Sequence, residues 1–358
     1  MDNRLAEVRK KLDTIDLEIQ SLLNKRATLA MEVAHIKQAT DADPVYYRPE
    51  REAQILRQIR DRNTGPMDSQ SIVDIFRSIL TACLALQQKI KIAFLGPEGT
   101  FSHAASLKHF GNAVQTLSVT TIQQVFHVVD TQQAHYGVVP IENSTTGVIN
   151  TTLDALMTSP LYICGEIILP IHHYFLRKKN NDKPVKRIYS HEQSFAQCQN
   201  WLSNNFIDAE KIPVNSNGMA AEMAQQDAES AAIAGSYAAD TYDLEKIAQH
   251  IEDNTHNQTR FLVVGRQKTL PSGQDKTSLL ISTPHIPGAL IDLLKPFSDA
   301  GVNITLIESR PYQHRNWSYL FFVDVEGHQD DKPVKQALEI LGSKPILLNI
   351  LGSYPRAI

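Results

Sequence analysis

The sequence predicts a multidomain chain: an all-α first segment, a two-lobed α/β middle segment and a ferredoxin-like α+β last segment. Three observations predict it. Apolar residues recur at steps of three and four from Leu5 to Ile36. From Lys89 onward short apolar runs alternate with helical stretches. Beyond Pro271 and Gly273 the order becomes strand, helix, strand, strand, helix, strand. At 358 residues the chain exceeds the usual single domain, and the pattern divides it at 1–90, 91–267, a linker at 268–276, and 277–355.

In the first segment Leu5, Val8, Leu12, Ile15, Ile19, Leu22, Leu29, Val33 and Ile36 form one stripe of a single long helix. At 1.5 Å per residue it runs roughly 45 Å, too long for the short helices after it to cover, so a second copy of the chain is the expected cover. Arg26 occupies the stripe position missing between Leu22 and Leu29. A buried charge without a partner costs several kcal/mol, and no acid stands at Leu22, Leu29 or Ala30, which points to a ligand as counter-ion. Arg9 and Lys37 flank the same face, where snorkelling from a coiled-coil edge is the competing reading. Pro49 suits the first position of a second helix ending near Arg60. A third helix, about Asp68 to Gln88, carries Ile72, Phe76, Ile79 or Leu80, and Cys83, with Gln87 continuing its apolar stripe.

The middle segment opens with the strand KIKIAFLG and a glycine-rich turn, with Thr100 or Ser102 near a helix cap. Strands are expected at 136–141, 164–169, 187–189, 231–234 and 260–264, in a mainly parallel sheet. In the last segment strands are expected at 277–282, 304–309, 318–325 and 346–353, with helices at 288–297 and 333–341.

Composition narrows the function. Lys+Arg against Asp+Glu is 35 to 39, a formal net charge of -4, with no nucleic-acid footprint. The opening residues are charged throughout, unlike a signal peptide, and no uninterrupted apolar run reaches membrane-span length. Cys83, Cys164 and Cys198 suit neither a disulfide framework nor a thiolate cluster, so a cytoplasmic location is expected. The adjacent His172 and His173 read as a loop or strand end. No metal or cofactor is expected.

Six motifs occur in order: GPEGTFS at 96–102, PIENS at 140–144, the Ser190, His191, Ser194 and Cys198 set, NQTRF at 257–261, GAL at 288–290 and ESRP at 308–311. With them the chain, over roughly 3–355, resembles the bifunctional chorismate mutase and prephenate dehydratase family of bacterial phenylalanine synthesis, which ends in an ACT domain. The resemblance implies chorismate and prephenate as substrates, phenylalanine as effector, and a homodimer or higher homo-oligomer. It places the mutase residues on Arg9, Arg26, Lys37, Arg51, Glu52 and Gln87, four of which the helix faces had already singled out. Arg26 and Arg9, the latter from the partner chain, would hold carboxylates. Lys37 with Gln87 would meet the ether oxygen, and Glu52 would accept the ring hydroxyl. Arg48 stands where some members carry an aspartate, and Cys83 where some carry serine, so both are expected against substrate.

For the dehydratase the resemblance puts Thr259 at the centre, with Asn143, Ser190 and Gln197 around it and Thr100 and Ser102 as donors at a helix start. Glu142 is either a cleft residue or a hinge carboxylate, and Arg260 either holds a substrate carboxylate or pins structure. His191 orders the Ser190 loop. Gly288, Ala289 and Leu290 would let backbone groups approach the effector, glycine being used because a side chain would crowd them, while Glu308, Ser309, Arg310 and Pro311 shape the facing wall. Two other readings are a mutase segment retained only for dimerisation, which Arg48 motivates, and a non-enzymatic amino-acid sensor.

Overall fold

The computed structural model describes residues 2–41, 44–283, 286–312, 318–344 and 347–358. It divides into two compact units, residues 1–90 with 110–115, and residues 91–109 with 116–358.

The first unit is helical: α1 (Asp2–Thr40), α2 (Pro49–Asp61) and α3 (Ser69–Gln87). Pro49 opens α2, its missing N–H being one that a helix start leaves unused. Asp68 caps α3, accepting the Ser71 backbone N–H at 2.9 Å. The apolar stripe of α1 is uncovered, with Leu5, Val8, Leu12, Ile15, Ile19, Leu22, Leu29, Val33 and Ile36 exposed by 45% to 62%. One described helix, α3, is long and apolar enough by length and composition to cross a membrane, although Asp74 and Arg77 interrupt its apolar run as the sequence expectation had it. It also packs against α1 and α2.

The second unit runs β1 (Lys91–Leu95), α4 (Phe101–Phe110), β2 (Gln115–Val119), α5 (Ile122–Asp130), β3 (Tyr136–Asn143), β4 (Gly147–Val148), α6 (Asn150–Thr158) and β5 (Tyr162–Pro170). It then builds a second lobe: β6 (Tyr174–Lys178), β7 (Arg187–Ser190), α7 (Glu192–Gln197), α8 (Gln199–Asn205), β8 (Glu210–Pro213), α9 (Asn217–Gln226), β9 (Ser230–Ala234), α10 (Ser236–Thr241) and β10 (Leu244–Gln249). The chain returns to the first lobe through β11 (Gln258–Gly265). The lobes' sheets are ordered β2-β1-β3-β11-β5, with β4 on β3, and β10-β6-β9-β7-β8.

Both sheets are mixed, which corrects the mainly parallel expectation. β1 pairs with β3, and β7 with β8 and β9, in parallel. β11 lies antiparallel between β3 and β5, because it is the returning segment and enters the sheet from the far lobe. β6 is likewise antiparallel to both β9 and β10.

The last part, β12 (Asp275–Thr283), α11 (Ala289–Asp299), β13 (Ile304–Tyr312), β14 (Ser318–Glu326), α12 (Lys332–Gly342) and β15 (Leu348–Pro355), has the expected βαββαβ order. Its sheet runs β13-β14-β12-β15; Ile346, placed in the last strand by sequence, lies outside the described residues. One face of this sheet packs α11 and α12 through Leu279, Phe297, Val323 and Leu341. Leu280, Leu320, Phe322 and Leu351 on its other face join the first lobe's core of Ile163, Leu262 and Val264. At Gly352 a Cβ would stand 2.3 Å from the Ile163 carbonyl oxygen, so glycine is what permits β15 to lie against β5.

Candidate functional site

The first unit encloses a cavity of about 350 Å³ lined by Arg26, Lys37, Arg48, Arg51, Glu52 and Gln87, with Cys83 and apolar side chains of α1 and α3 around them. Helical spacing brings them together: Arg26, Ala30, Val33 and Lys37 share one face of α1, and Leu80, Cys83, Leu84 and Gln87 one face of α3. Arg51 and Glu52 come from the first turn of α2. Arg9 is exposed and lies about 25 Å back along α1 from Arg26, outside this cavity.

Four cations therefore face one carboxylate. Among the described residues no acid pairs with Arg26, as its place on the stripe had suggested. Lys37 Nζ donates to the Val45 carbonyl oxygen at 2.9 Å and lies over the Tyr46 ring. Burial first, then the Arg48 charge, lowers the Lys37 pKa, with Glu50 partly opposing.

Burial pushes the Glu52 carboxyl up to about 7, against the opposing charge of Arg77 at 3.6 Å. Arg77 was not foreseen, because nothing in a surface-like helix repeat marks it as the partner of a residue on another helix. A reaction in this cavity that needs Glu52 as an anion should rise in kcat/KM as pH increases through about 7. Glu52→Gln should flatten that limb, which rate profiles at fixed ionic strength would read. Stability carries the opposite sign: a raised folded pKa favours the folded state below the ordinary carboxyl pKa, and that contribution is lost as pH rises through about 7.

The second unit carries a larger cleft of about 750 Å³ between its lobes, lined by Thr100, Ser102, Asn143, His173, His191, Ser194, Gln197, Asn217, Asn257 and Thr259 among others. Asn143 and Thr259 are cross-strand partners on β3 and β11. Asn143 Oδ1 accepts the Thr145 and Thr146 backbone N–H groups at 3.0 and 3.1 Å, which fixes the orientation of its amide. Its Nδ2 must then donate, to Thr259 Oγ1 at 2.8 Å and Asn257 Oδ1 at 2.8 Å. With its oxygen accepting from Asn143, the buried Thr259 hydroxyl keeps its own proton for a group in the cleft.

Opposite, His173 Nε2 lies 2.8 Å from Gln197 Oε1. His173 Nδ1 and Gln197 Nε2 are buried without a hydrogen-bond partner, so the pair holds one donor and one acceptor in reserve. Burial lowers the His173 pKa despite the Gln197 hydrogen bond and the nearby Glu252 carboxylate. The N-termini of α4, α7 and α9 all reach the cleft, through Thr100 to Ser102, His191 to Ser194, and Ser216 to Asn217. Gly218 is needed for this approach: a Cβ there would sit 2.3 Å from the Glu98 carbonyl oxygen.

Comparison with known proteins gives the three parts their family. The chorismate mutase type II model matches residues 8–88, prephenate dehydratase 92–269, and ACT domain 277–343. The bifunctional chorismate mutase/prephenate dehydratases of Neisseria gonorrhoeae and Pseudomonas aeruginosa are 45% and 44% identical to the chain. The first match covers 100% of this chain and 99% of that protein, the second 99% of each. The chain belongs to the bifunctional chorismate mutase/prephenate dehydratase family. Among solved structures it is similar to the prephenate dehydratase of Arthrobacter aurescens in complex with L-Phe, with a TM-score of 0.68 and 34% identity over 75% of this chain and 90% of that one.

Within this bifunctional frame, three expected cleft residues lie elsewhere. Ser190 is fully buried, donating to the Ile233 carbonyl oxygen at 2.9 Å, and does not line the cleft. Glu142 and Arg260 are cross-strand partners, one step along from Asn143 and Thr259. Because successive side chains in a strand point to opposite faces, they are directed away from the cleft.

Arg260 is the structural pin of its two sequence readings. Its guanidinium pairs with Glu166 at 2.8 Å and Asp324 at 2.7 Å and donates to Tyr354 Oη at 2.9 Å. Lys276 pairs with the same Glu166 at 2.9 Å. Burial acts against the Glu166 anion, but the Arg260 and Lys276 charges outweigh it and hold its pKa down. The cluster thus balances two cations and two anions where the ACT sheet meets the first lobe. Arg260→Met should destabilise the fold by about 3–5 kcal/mol by leaving buried carboxylates underpaired. Adding Asp324→Leu should recover much of the loss, as denaturant unfolding of both variants would show.

The residues expected at an effector site fall in two segments, in which Gly288, Leu290, Ser309 and Pro311 are exposed and Ala289, Glu308 and Arg310 half-buried. Gly288 has φ +84 just before α11, and nothing lies within 4 Å of a Cβ built there. Its backbone conformation, rather than the crowding expected from sequence, is what calls for glycine. Ala289 and Leu290 open α11, and Glu308, Ser309, Arg310 and Pro311 lie on the edge strand β13. Arg310 pairs with Asp154 of α6 at 2.6 Å.

Proposed function

We propose that the helical cavity converts chorismate to prephenate and that the interlobe cleft converts prephenate to phenylpyruvate, with phenylalanine acting through the ACT domain. The chain is a bifunctional enzyme, and the observation that carries the assignment of its sites is their contrasting charge. Four cations and one carboxylate line the helical cavity, whereas the residues lining the cleft include neither lysine nor arginine.

The mutase step is an intramolecular rearrangement that needs no proton transfer, only a folded dianion and charge stabilisation at the ether oxygen. Arg26 and Arg51 suit the carboxylates by bidentate pairing. Lys37 and Gln87 suit the ether oxygen, and Glu52 the ring hydroxyl. Arg48 adds a cation where an aspartate stands in some members, which strengthens anion binding and argues against a segment kept only for dimerisation.

In the dehydratase step the bond to the ring carboxylate and the ring C–O bond break together: the carboxylate's electron pair makes the ring aromatic, CO2 is released, and the departing hydroxide takes up a proton from solvent to leave as water. Thr259 donates to the leaving oxygen while Asn143 holds the hydroxyl in place. The substrate carboxylates are met by backbone N–H groups at the starts of α4 and α9, where the helix dipole favours negative charge. His173 and Gln197 supply the remaining donor and acceptor.

The exposed stripe of α1 is covered by a second copy, whose Arg9 completes the mutase cavity. Exposed Leu290 and Ile291 and the open β13 edge suit a second ACT contact at which phenylalanine binds. A cytoplasmic location fits this chemistry. Mixed dimers test the shared site. Arg9→Ala and Arg26→Ala homodimers should both lack mutase activity. Mixed, they should regain about half the wild-type rate per heterodimer, since one site then receives both arginines intact. No recovery would place Arg9 outside its partner's site.

A further inference from the structure

We propose a divalent transition-metal site at the hinge of the second unit, formed by His172, His250 and Glu252. His172 lies in the segment leaving the first lobe, between β5 and β6. His250 and Glu252 lie in the segment returning to it, between β10 and β11. One ligand atom from each lies within 4.8 Å of the others. Glu252 Oε1 is 2.7 Å from His172 Nδ1 and 3.7 Å from His250 Nδ1. A tetrahedral zinc ion with ligands at about 2.0–2.2 Å needs ligand separations near 3.4 Å, so side-chain shifts of under about 1 Å would admit it.

Further features suit a metal better than a plain hydrogen-bonded pin. The Glu252 side chain is 1% exposed, and its second oxygen accepts the His173 backbone N–H at 2.8 Å, an arrangement that orients a ligating carboxylate. The two imidazoles meet edge to face at 4.3 Å. A hydrogen-bonded pin needs only His172, whereas His250 adds a second imidazole at the same carboxylate from a backbone held at φ +53, a conformation unusual for a residue with a side chain. His172 and His250 keep 33% and 51% of their side chains exposed, leaving room for a water as fourth ligand. Two imidazoles and one carboxylate favour zinc, cobalt or nickel over magnesium or calcium.

The placement gives the site a consequence. A bound ion would tie both interlobe crossings through Glu252, which also holds the backbone of the cleft residue His173. Sequence reading took His172 and His173 as a local pair. Their shared partner, Glu252, stands 80 residues from one and 79 from the other.

The test uses the untagged full chain, stripped with chelator and titrated with Zn²⁺ by calorimetry. Co²⁺ serves as a spectroscopic probe. One ion per chain should bind with micromolar or tighter Kd, and Co²⁺ should give the intense visible absorption of a tetrahedral site. His250→Asn keeps a residue tolerant of the left-handed backbone while removing the imidazole. It should weaken binding at least tenfold and abolish the cobalt band, with metal-free dehydratase activity unchanged as proof of folding. Binding and spectrum equal to wild type in His250→Asn, or only millimolar binding by wild type, would overturn the proposal. Dehydratase activity in the absence of metal is read separately, so failure of this site leaves the assignment of the cleft intact.

Discussion

Arg26→Ala is expected to lower mutase kcat/KM by about 10²–10³-fold, the usual cost of removing one preorganised charge partner from a developing anion, while prephenate added directly is dehydrated at the wild-type rate. The size follows from placement. Arg26 sits on the apolar stripe of α1, lines the cavity, and has no acidic partner among the described residues. Its charge is thus available to the substrate without first breaking an ion pair. Arg26→Lys should recover only part of the loss, because an ammonium lacks the planar fork that pairs a carboxylate at two points. A stopped assay following chorismate and prephenate separately would read both effects. Equal losses of mutase and dehydratase activity would instead indicate general unfolding.

Thr259→Val should reduce dehydratase kcat by about 10²–10³-fold with a smaller change in KM, since the hydroxyl assists mainly as the leaving oxygen gains charge. Valine keeps the β-branched shape of a strand residue that is 8% exposed, so β11 should still form. Thr259→Ser keeps the donor and should retain most activity. Asn143→Asp would reproduce part of the defect, because a carboxylate cannot donate to Thr259 Oγ and would draw the threonine proton toward itself. Prephenate turnover by the three variants, with mutase activity as the folding control, separates these expectations. Undiminished kcat in Thr259→Val would remove Thr259 from the reaction.

The helical cavity was the more legible of the two centres, for a physical reason. Helix faces are set by local spacing, so Arg26 and Gln87 could be recognised as polar groups standing where leucine belongs. The cleft depends on long-range pairing. Asn143 reaches Thr259 across 116 residues, and His173 meets Gln197 across 24. Strand alternation was also needed to separate Thr259 and Asn143 from Arg260 and Glu142, and alternation is informative only once the pairing is known. The antiparallel insertion of β11 likewise carries no local signal, which is why the sheet was expected to be mainly parallel. Arg77 and Asn217 gave no warning, one being a charge within α3 and the other the first residue of α9.

The most direct test of two separate centres on one chain is a time course of chorismate consumption followed by NMR in wild type, Arg26→Ala and Thr259→Val. Wild type should pass through prephenate to phenylpyruvate. Arg26→Ala should leave chorismate largely unconsumed yet convert supplied prephenate normally, and Thr259→Val should stall with prephenate accumulated. Phenylpyruvate formed from chorismate by Thr259→Val at the wild-type rate, or loss of both steps from either folded variant, would contradict the account.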